Sequence, residues 1–360
     1  MFDASDHRFM AEALRLAEKG MWTTDPNPRV GCVLVKNERI IGAGWHRRAG
    51  EAHAEVLALE DAGAKAHGAT VYVTLEPCSH AGRTPPCTQA LIEAGVAEVI
   101  AAMPDPDPQV AGSGLKFLER AGIRVRAGLM QAQARALNPG FVSRHERGRP
   151  WVRLKLAGSL DGRSVGPDGQ SRWITGEASR ADGHRWRARA GAILTGIGTV
   201  LSDDPRLTVR ARGAERQPLI VVADSRGRIP PGARLLSSTS PVLVASGRPR
   251  PDGLECDWLE LPVDGDGRIR LMALLEALAG RQVNELHVEA GATLSGALLA
   301  AELADELLIY MAPSLIGADG GPLVRLPGLE KFDERLHLNV VEIRRVGADI
   351  RIRLRSLERS

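Results

Sequence analysis

The chain has 360 residues, a length that suits two domains of moderate size, each able to bury its own core. The formal net charge is only +3, and arginines are interleaved with acidic residues, which gives no sign of a nucleic-acid-binding or membrane-binding face. The acidic N-terminus, the lack of a long apolar run and the presence of only 4 cysteines lead us to expect a cytoplasmic protein.

The first half of the chain alternates between helical and strand-like patterns. A capped amphipathic helix is expected at residues 5–19, where it begins at Ser5 and stops at Gly20. The pattern continues with strands at 31–36 and 39–45, a helix at 53–64, a strand at 69–75, a helix that carries Cys87, a strand at 98–102, a helix at 114–121 and a strand at 123–126. This alternation predicts a sheet covered by helices.

The most informative motif in this half is His53-Ala54-Glu55, followed by Pro77-Cys78 and then by Cys87. One His and two Cys supply three zinc ligands, whereas a structural zinc site takes four, so a fourth position is left for water. Glu55 matches the carboxylate of the zinc-deaminase signature, which stays off the metal and shuttles protons. We therefore predict that His53, Cys78 and Cys87 bind Zn²⁺ and that Glu55 is the catalytic general base and acid.

Both parts of this motif are expected at strand-to-helix turns, where two helix N-termini meet. Thr84 is the predicted N-cap of the second helix, the prolines after it suit a first turn, and the positive helix end would favour a thiolate at Cys87. Cys32 and Cys256 have no ligand-like neighbours and are expected to be buried apolar fillers. Eight residues separate Cys78 from Cys87, where the general signature has two.

Residues 138–150 are rich in Gly, Pro and charge without a sustained period, which predicts a domain boundary and two domains at 1–146 and 147–360. Beyond it we expect strands at 151–157, 192–196, 219–224, 241–245, 285–289 and 349–354, and helices at 177–189 and 271–279. Glycine turns at 195–199 and 289–296 each follow a strand, and the second also opens a helix. Such turns can cradle an anion, although glycine is more often there for steric reasons. Neither turn has the dinucleotide-binding spacing of a Rossmann site.

With the long spacer in view, the chain resembles one family, the bifunctional riboflavin-biosynthesis deaminase/reductases. The resemblance rests on PRVGCV at 28–33, HAE at 53–55 and TLEPCSHAGRTPPC at 74–87 in the first half, and on KLAGSLDG at 155–162, DDPRLTVR at 203–210 and EAGATLSG at 289–296 in the second. It covers essentially the whole chain. It implies an α/β fold of two domains, an N-terminal cytidine-deaminase-like α/β/α sandwich and a C-terminal dihydrofolate-reductase-like domain.

The resemblance also implies two consecutive reactions on a small phosphorylated pyrimidine ribotide. The ring amine of 2,5-diamino-6-ribosylamino-4(3H)-pyrimidinone 5′-phosphate is first replaced by oxygen with the help of Zn²⁺, and NADPH then reduces the ribosyl group to ribityl. Neither nucleic acid nor membrane is an expected partner, and the sequence is compatible with a homo-oligomer. It leaves the choice between NADPH and NADH open, with Arg226 as a candidate partner of a 2′-phosphate.

By resemblance, the residues that line the two pockets can be named in this chain. In the deaminase they are Asn27, His46, Arg83 and Asp105, with Arg83 suited to a phosphate because its guanidinium is a planar fork. In the reductase the substrate residues are Ser171, Arg187, Leu207, Arg210 and Glu289. The NADPH-binding residues are Ala157, Trp173, Thr199, Asp203, Ser225, Gly291, Ala292, Thr293, Leu294, Ser295, Gly296 and Ala297. Lys155, together with Asp203, is a weaker candidate for a polar or acid–base role.

Two other interpretations remain open at this point. A nucleic-acid deaminase acting on tRNA or DNA would share the metal site, but it would need a basic face and aromatic residues for base stacking, and aromatic residues make up only 4% of this chain. A zinc-stabilised scaffold without turnover would have no need of Glu55.

Overall fold

In a computed structural model, residues 1–79, 86–108, 110–169, 173–210 and 216–356 can be described. The chain forms two compact units, Met1–Gly148 and Arg149–Ser360. Within the ranges just given, no helix is both long enough and apolar enough to span a bilayer.

The first unit is built on a five-stranded sheet with the order β2-β1-β3-β4-β5. Its strands are β1 (Gly31–Lys36), β2 (Arg39–Trp45), β3 (Thr70–Val73), β4 (Glu98–Ala101) and β5 (Arg124–Ala127). Its helices are α1 (Ala4–Glu18), α2 (Ala54–Ala62), α3 (Cys87–Glu93), α4 (Ser113–Arg120), α5 (Gln131–Leu137) and α6 (Pro139–Arg147), with a short 3-10 turn at Gly63–Ala66. Strand β1 runs antiparallel to β2 and β3, whereas β3, β4 and β5 are parallel.

The predicted sheet covered by helices is therefore confirmed. The interior strand β1 is buried over its first five residues, as both faces of a helix-covered strand must be, and α1 and α2 both pack against it. Phe9, Ala13 and Ala17 of α1 join the apolar core of this unit. The apolar face predicted from the sequence is thus the buried face of the helix.

Three local expectations were wrong. The first helix is capped by Asp3 rather than Ser5, because the Asp3 carboxylate accepts the backbone N–H of Asp6 and the Asp6 side chain accepts that of Asp3. Helix α3 begins at Cys87, so Pro86 precedes the helix instead of forming its first turn, and Thr84 lies outside the described residues. The expected irregular boundary segment is mostly α6, which Pro139 starts and Gly148 ends in the left-handed conformation.

The second unit contains a nine-stranded sheet with the order β11-β10-β9-β8-β12-β6-β13-β16-β15 and a separate pair of strands, β14 and β7. The strands are β6 (Trp151–Ser159), β7 (Arg163–Val165), β8 (Ala192–Gly196), β9 (Leu219–Ala223), β10 (Val242–Ser246), β11 (Asp257–Glu260), β12 (Glu285–Val288), β13 (Glu306–Ala312), β14 (Gly321–Pro322), β15 (Leu338–Val346) and β16 (Asp349–Ser356). The helices are α7 (Glu177–Arg189), α8 (Ile197–Asp203), α9 (Leu271–Gly280) and α10 (Ala292–Ala300), with a 3-10 turn at Phe332–Glu334.

Seven neighbouring strands of this sheet, from β11 to β13, are parallel, and the antiparallel pair β16 and β15 extends it at one edge. The chain reverses its direction of travel across the sheet around β6, because β8 to β11 extend to one side and β13 lies on the other. In such sheets, ligands bind beyond the carboxyl ends of the strands near the reversal. Gly196 is the last residue of β8 and Glu289 directly follows β12, whereas Lys155 lies in the middle of β6.

The sequence patterns missed β13 and β15. Strand β13 is almost entirely buried, so it shows an apolar run rather than an alternation, and β15 is an edge strand with mostly exposed residues. Neither strand has the period that identifies a half-buried strand.

Candidate functional site

The metal centre of the first unit forms where the N-termini of α2 and α3 meet, as predicted. His53 is the N-cap residue of α2 and makes no capping hydrogen bond with its side chain, and Cys87 is the first residue of α3. The His53 Nδ1 atom lies 3.1 Å from Cys87 Sγ and 3.6 Å from Cys78 Sγ. The three potential ligand atoms all lie within 4.8 Å of one another.

These distances fit a zinc ion. Zn–S bonds of about 2.3 Å and Zn–N bonds of about 2.0–2.1 Å in a tetrahedron place neighbouring ligand atoms about 3.5–3.8 Å apart. The observed separations of 3.1 and 3.6 Å are close to this range. The donor set of one imidazole and two sulfurs also matches the chemistry of zinc, which prefers nitrogen and sulfur ligands.

Glu55 lies in the first turn of α2, two residues after His53, and only 3% of its surface is exposed. Burial raises the pKa of this carboxyl to about 7, although the nearby His53 acts in the opposite direction. A carboxylate with a pKa near the working pH can both accept and return a proton. The position and the environment of Glu55 therefore suit the proton-shuttling role predicted from the sequence.

The helix end acts on a different sulfur from the one predicted. The backbone N–H of Cys87, at the start of α3, donates to Cys78 Sγ over 3.3 Å. The hydrogen bond between the two sulfurs, with help from His53, lowers the pKa of Cys78 to about 4. The same sulfur–sulfur bond, together with burial, raises the pKa of Cys87. The N-terminus of α3 thus favours a thiolate at Cys78 through this backbone N–H.

Two of the predicted deaminase pocket residues lie next to the metal centre. The Asn27 Nδ2 atom is 3.0 Å from His46 Nε2, and the rings of His46 and His53 meet edge to face at 5.3 Å between centroids. His46 is buried, which lowers its pKa, and its Nδ1 donates to the Ala52 carbonyl over 3.1 Å. A neutral His46 then accepts from Asn27, so the two side chains orient each other.

Of the other two predicted pocket residues, Asp105 and Arg83, only Asp105 belongs to the part of the chain that the structure describes. Asp105 lies on the loop that follows β4, where its backbone N–H donates to Glu76 Oε2 over 3.0 Å. Its carboxylate accepts the backbone N–H of Asp107 at 2.9 Å. Arg83 lies outside the described residues.

The second unit contains a cleft of about 2080 Å³ at the carboxyl ends of its parallel strands. Single-ligand pockets are usually about 300–1,000 Å³, so this cleft has room for a dinucleotide and a substrate together. Both glycine turns predicted from the sequence border it, since Gly196 precedes α8 and Gly291 is the N-cap of α10. Predicted residues that line the cleft are Lys155, Ala157, Trp173, Arg187, Thr199, Asp203, Leu207, Arg210, Ser225, Glu289, Gly291, Ala292, Thr293, Leu294 and Ala297.

Two predicted reductase residues are placed otherwise, and a third cannot be described. Ser295 and Gly296 are buried on α10 and are not among the residues that line the cleft. The Ser295 hydroxyl donates to the Ala290 carbonyl over 3.3 Å. Ser171 lies outside the described residues.

An ion pair between Arg187 and Glu289 lies in the lining of the cleft. Arg187 donates two hydrogen bonds to Glu289, one of them 2.8 Å long from Nη2 to Oε2. It also donates to the Thr208 carbonyl over 3.1 Å. Burial alone would raise the pKa of Glu289, but Arg187, with His287 and Lys155, holds it well below its usual range. Burial lowers the pKa of the Lys155 ammonium, and the nearby Glu289 limits the change.

Sequence reasoning missed His184. Its Nδ1 accepts the backbone N–H of Arg210 over 3.3 Å, and it lies one helical turn before Arg187 on α7. Burial, with Arg187 and Arg210, lowers the pKa of His184 to about 4, so the ring is neutral near pH 7. The signal that could have identified it is the spacing of three residues from Arg187, which places both on one helix face.

Other arginines lie closer to the cleft than Arg226, the candidate partner of a 2′-phosphate. Arg226 is exposed but is not among the residues that line the cleft, whereas Arg228, Arg268 and Arg270 are. The Ser225 hydroxyl connects their two segments, because it accepts the backbone N–H of Ile269 over 3.0 Å.

Comparison with known proteins agrees with both sites. Residues 3–103 match the cytidine and deoxycytidylate deaminase zinc-binding region, and residues 150–352 match the RibD C-terminal domain. The riboflavin biosynthesis protein RibD of Escherichia coli K12 is 49% identical, over 97% of this chain and 99% of its own length. That of Haemophilus influenzae is 47% identical, over 98% and 97%.

The chain belongs to the RibD family. Among solved structures, form 1 of Acinetobacter baumannii RibD is 42% identical and superposes with a TM-score of 0.92, covering 98% of this chain and 99% of the other. The RibD family combines a deaminase and a reductase of riboflavin biosynthesis, with Zn²⁺ as the metal of the first activity and NADPH as the reductant of the second. The two-domain fold, the two activities and both cofactors predicted from the sequence are thereby confirmed, and this interpretation is favoured over a nucleic-acid deaminase or a scaffold.

Proposed function

We propose that residues 1–146 deaminate 2,5-diamino-6-ribosylamino-4(3H)-pyrimidinone 5′-phosphate and that residues 147–360 then reduce its ribosyl group to ribityl with NADPH. The observation that carries the first step is the cluster of His53, Cys78 and Cys87 beside the buried Glu55. Three protein ligands leave one coordination position for solvent, which a catalytic zinc site requires. A relative from Thermotoga maritima, 32% identical with a TM-score of 0.87, is a diaminohydroxyphosphoribosylaminopyrimidine deaminase and 5-amino-6-(5-phosphoribosylamino)uracil reductase.

In the deamination, zinc supplies the Lewis acid that makes water a nucleophile at neutral pH. Glu55 accepts the proton of the attacking water and returns it to the departing amine, so that one carboxyl serves as base and then as acid. The paired side chains of Asn27 and His46 border the ring, Asp105 is a further substrate contact, and the family resemblance assigns the phosphate to Arg83.

In the reduction, NADPH supplies the hydride for C1′ of the sugar. The ribotide is held by Arg187, Leu207, Arg210 and Glu289. The salt bridge between Arg187 and Glu289 keeps these two side chains in place in the lining of the cleft. Lys155 lines the same cleft, and its lowered pKa suits the delivery of a proton to the ring oxygen as the sugar opens. The two glycine turns, at the N-termini of α8 and α10, would hold the cofactor.

We also propose that a small ribotide, rather than nucleic acid or membrane, is the partner, that the enzyme is cytoplasmic and that it can form homo-oligomers. The net charge of +3 and the scarcity of aromatic residues support the first point.

The test is a coupled assay with zinc-replete protein. We expect ammonia release from the diamino ribotide, followed by NADPH oxidation that depends on it. A Glu55→Ala variant should lose about 10²–10⁴-fold in deamination rate while keeping its zinc, whereas Glu60→Ala, an exposed glutamate on the same helix, should change little. Faster turnover of a deoxycytidine or tRNA substrate than of the ribotide, or protein that binds no zinc, would overturn the proposal.

A further inference from the structure

A buried carboxylate next to the metal ligands has no role in the chemistry described so far. Glu76 is 3% exposed and lies two residues before Cys78. Its Oε2 atom accepts the backbone N–H groups of Asp105 at 3.0 Å and Gly112 at 2.9 Å. Its Oε1 atom accepts those of Gly114 at 2.8 Å and Leu115 at 3.3 Å. All four donors belong to the backbone of a single segment.

That segment connects β4 to α4 and carries Asp105. Helix α4 begins at Ser113, and its N-cap Gly112 has no side chain to satisfy the first N–H groups of the helix. Glu76 satisfies them from another part of the chain, where a negative charge is favourable because the N-terminus of a helix is positive. The carboxylate therefore both caps α4 and fixes the backbone of Asp105.

The segment between β4 and α4 also packs closely against the residues on either side of Cys78. A Cβ atom at Gly114 would collide with the Pro77 carbonyl, so α4 meets the chain directly before Cys78. The Ser79 and Ser113 hydroxyls are 2.8 Å apart, directly after Cys78. The backbone N–H of Glu76 donates to the Met103 carbonyl over 3.0 Å. The Cys78 turn and the Asp105 loop are thus joined at several points, with Glu76 at the centre.

We propose that Glu76 is a positioning residue of the deaminase, which holds Asp105 at the substrate pocket by organising residues 103–115. This inference rests on the proposed function, since it takes Asp105 as a substrate contact. The carboxylate of Asp105 is in turn fixed by the N–H of Asp107 at 2.9 Å, so the chain of hydrogen bonds runs from Glu76 through the loop to the pocket. Glu76 acts on substrate binding through Asp105 and does not itself touch the reacting atoms.

The main test is Glu76→Gln, which keeps the volume but replaces one accepting oxygen by an NH₂ group that faces two N–H donors. We expect KM for the ribotide to rise about tenfold or more, since hydrogen bonds to charged groups are among the strong ones. Zinc content should stay stoichiometric, and hydrogen exchange should accelerate across 103–115. NADPH-dependent reduction of the deaminated ribotide, measured on the same sample, should not change.

A matched control and a double variant separate this role from a general loss of stability. Glu98→Gln also neutralises a buried glutamate of the same unit, but its partner is the Arg126 side chain, so exchange across 103–115 should stay as in the wild type. In an Asp105→Ala background, Glu76→Gln should raise KM by much less than it does alone, because both changes remove the same contact. Should Glu76→Gln fail to fold, Glu76→Asp keeps the charge but shortens the reach, and the same pattern is expected at smaller size.

Several results would overturn the proposal. One is unchanged exchange across 103–115 in Glu76→Gln or, where that protein does not fold, in Glu76→Asp. A second is full additivity of the Glu76 and Asp105 changes, and a third is loss of zinc without any change in the loop. An unchanged KM in Asp105→Ala would instead refute the role of Asp105 in the proposed function, which the exchange measurement on Glu76 variants does not depend on.

Discussion

The metal centre of the first unit takes its three ligand atoms from within 4.8 Å of one another, at the meeting point of two helix ends. The reductase cleft of the second unit instead collects its polar groups from several strands, helices and loops, over a volume of about 2080 Å³. Three side chains and one carboxylate define the first site, and no small subset of residues defines the second. The two sites should therefore respond differently to the loss of a single group.

This contrast follows from the chemistry of the ligands. A metal ion requires its donors at fixed bond lengths, so the loss of one donor removes the site. A dinucleotide makes many weaker contacts over a long surface, and each of them contributes a small part of the affinity. The first site should thus fail completely, and the second should weaken in steps.

Removal of the metal should have the largest effect. Treatment with a strong zinc chelator should reduce deamination to background in proportion to the zinc lost, and added Zn²⁺ should restore it. NADPH oxidation with ribotide that is already deaminated should persist, because none of the cleft residues belongs to the metal site. Metal content by mass spectrometry and the two activities on one sample provide the measurement. Deamination by metal-free protein would contradict the assignment.

Loss of the charged residues of the reductase cleft should have the next largest effect. Glu289→Ala leaves the mostly buried Arg187 without its partner, which should cost about 3 kcal/mol of stability as well as reductase activity. Arg210→Ala removes an exposed side chain, so stability should be kept and KM for the ribotide should rise about tenfold. Thermal unfolding and steady-state kinetics distinguish the two effects. Reduction that persists unchanged in both variants would show that the assigned pocket is wrong.

The sequence predicted the metal centre residue by residue because its chemistry depends on a short motif. His53, Glu55, Cys78 and Cys87 lie within 35 positions of one another, and their order alone identifies the site. The start of α3 was misplaced because Pro86 suits both a first turn and the residue before a helix. The pKa effect of that helix end was assigned to Cys87, whereas the backbone N–H bonds Cys78, a contact that no local pattern reveals.

The sequence pattern predicted fewer features of the second unit. Strands β13 and β15 lack an alternating pattern, one because it is buried and the other because it is exposed at the edge. The residues that line the cleft came from the family resemblance, since Ala157, Leu207 or Gly291 carry no chemical signal of their own. Arg228 is far from Arg268 and Arg270 in the chain, and only the fold brings the two segments to one cleft.

Arg228 and Arg268 allow a sharper test of whether the loss of single contacts weakens cofactor binding in small steps. We expect Arg228→Ala and Arg268→Ala each to weaken binding of NADP⁺ about tenfold, because a guanidinium lost from the 2′-phosphate costs about 1.5 kcal/mol. Binding of NAD⁺, which lacks that phosphate, should be unchanged. Titration calorimetry on protein without substrate measures both affinities. Arg226→Ala, an equally exposed arginine outside the cleft, is the control, and a larger loss there than at Arg228 or Arg268 would restore the assignment made from the sequence.

The smallest effect should be a pH dependence that belongs to the second unit alone. The pKa of His184 is about 4 in the folded chain, against about 6.5 for an ordinary histidine. Between these values the unfolded chain binds a proton that the folded one does not, so this contribution to stability is present above pH 6.5 and is lost as the pH falls towards 4. The unfolding temperature of the wild type should therefore fall more steeply over this range than that of His184→Gln, a neutral variant that cannot titrate. Parallel curves would mean that the ring keeps an ordinary pKa beside Arg187 and Arg210, and that its burial is not enough to lower it.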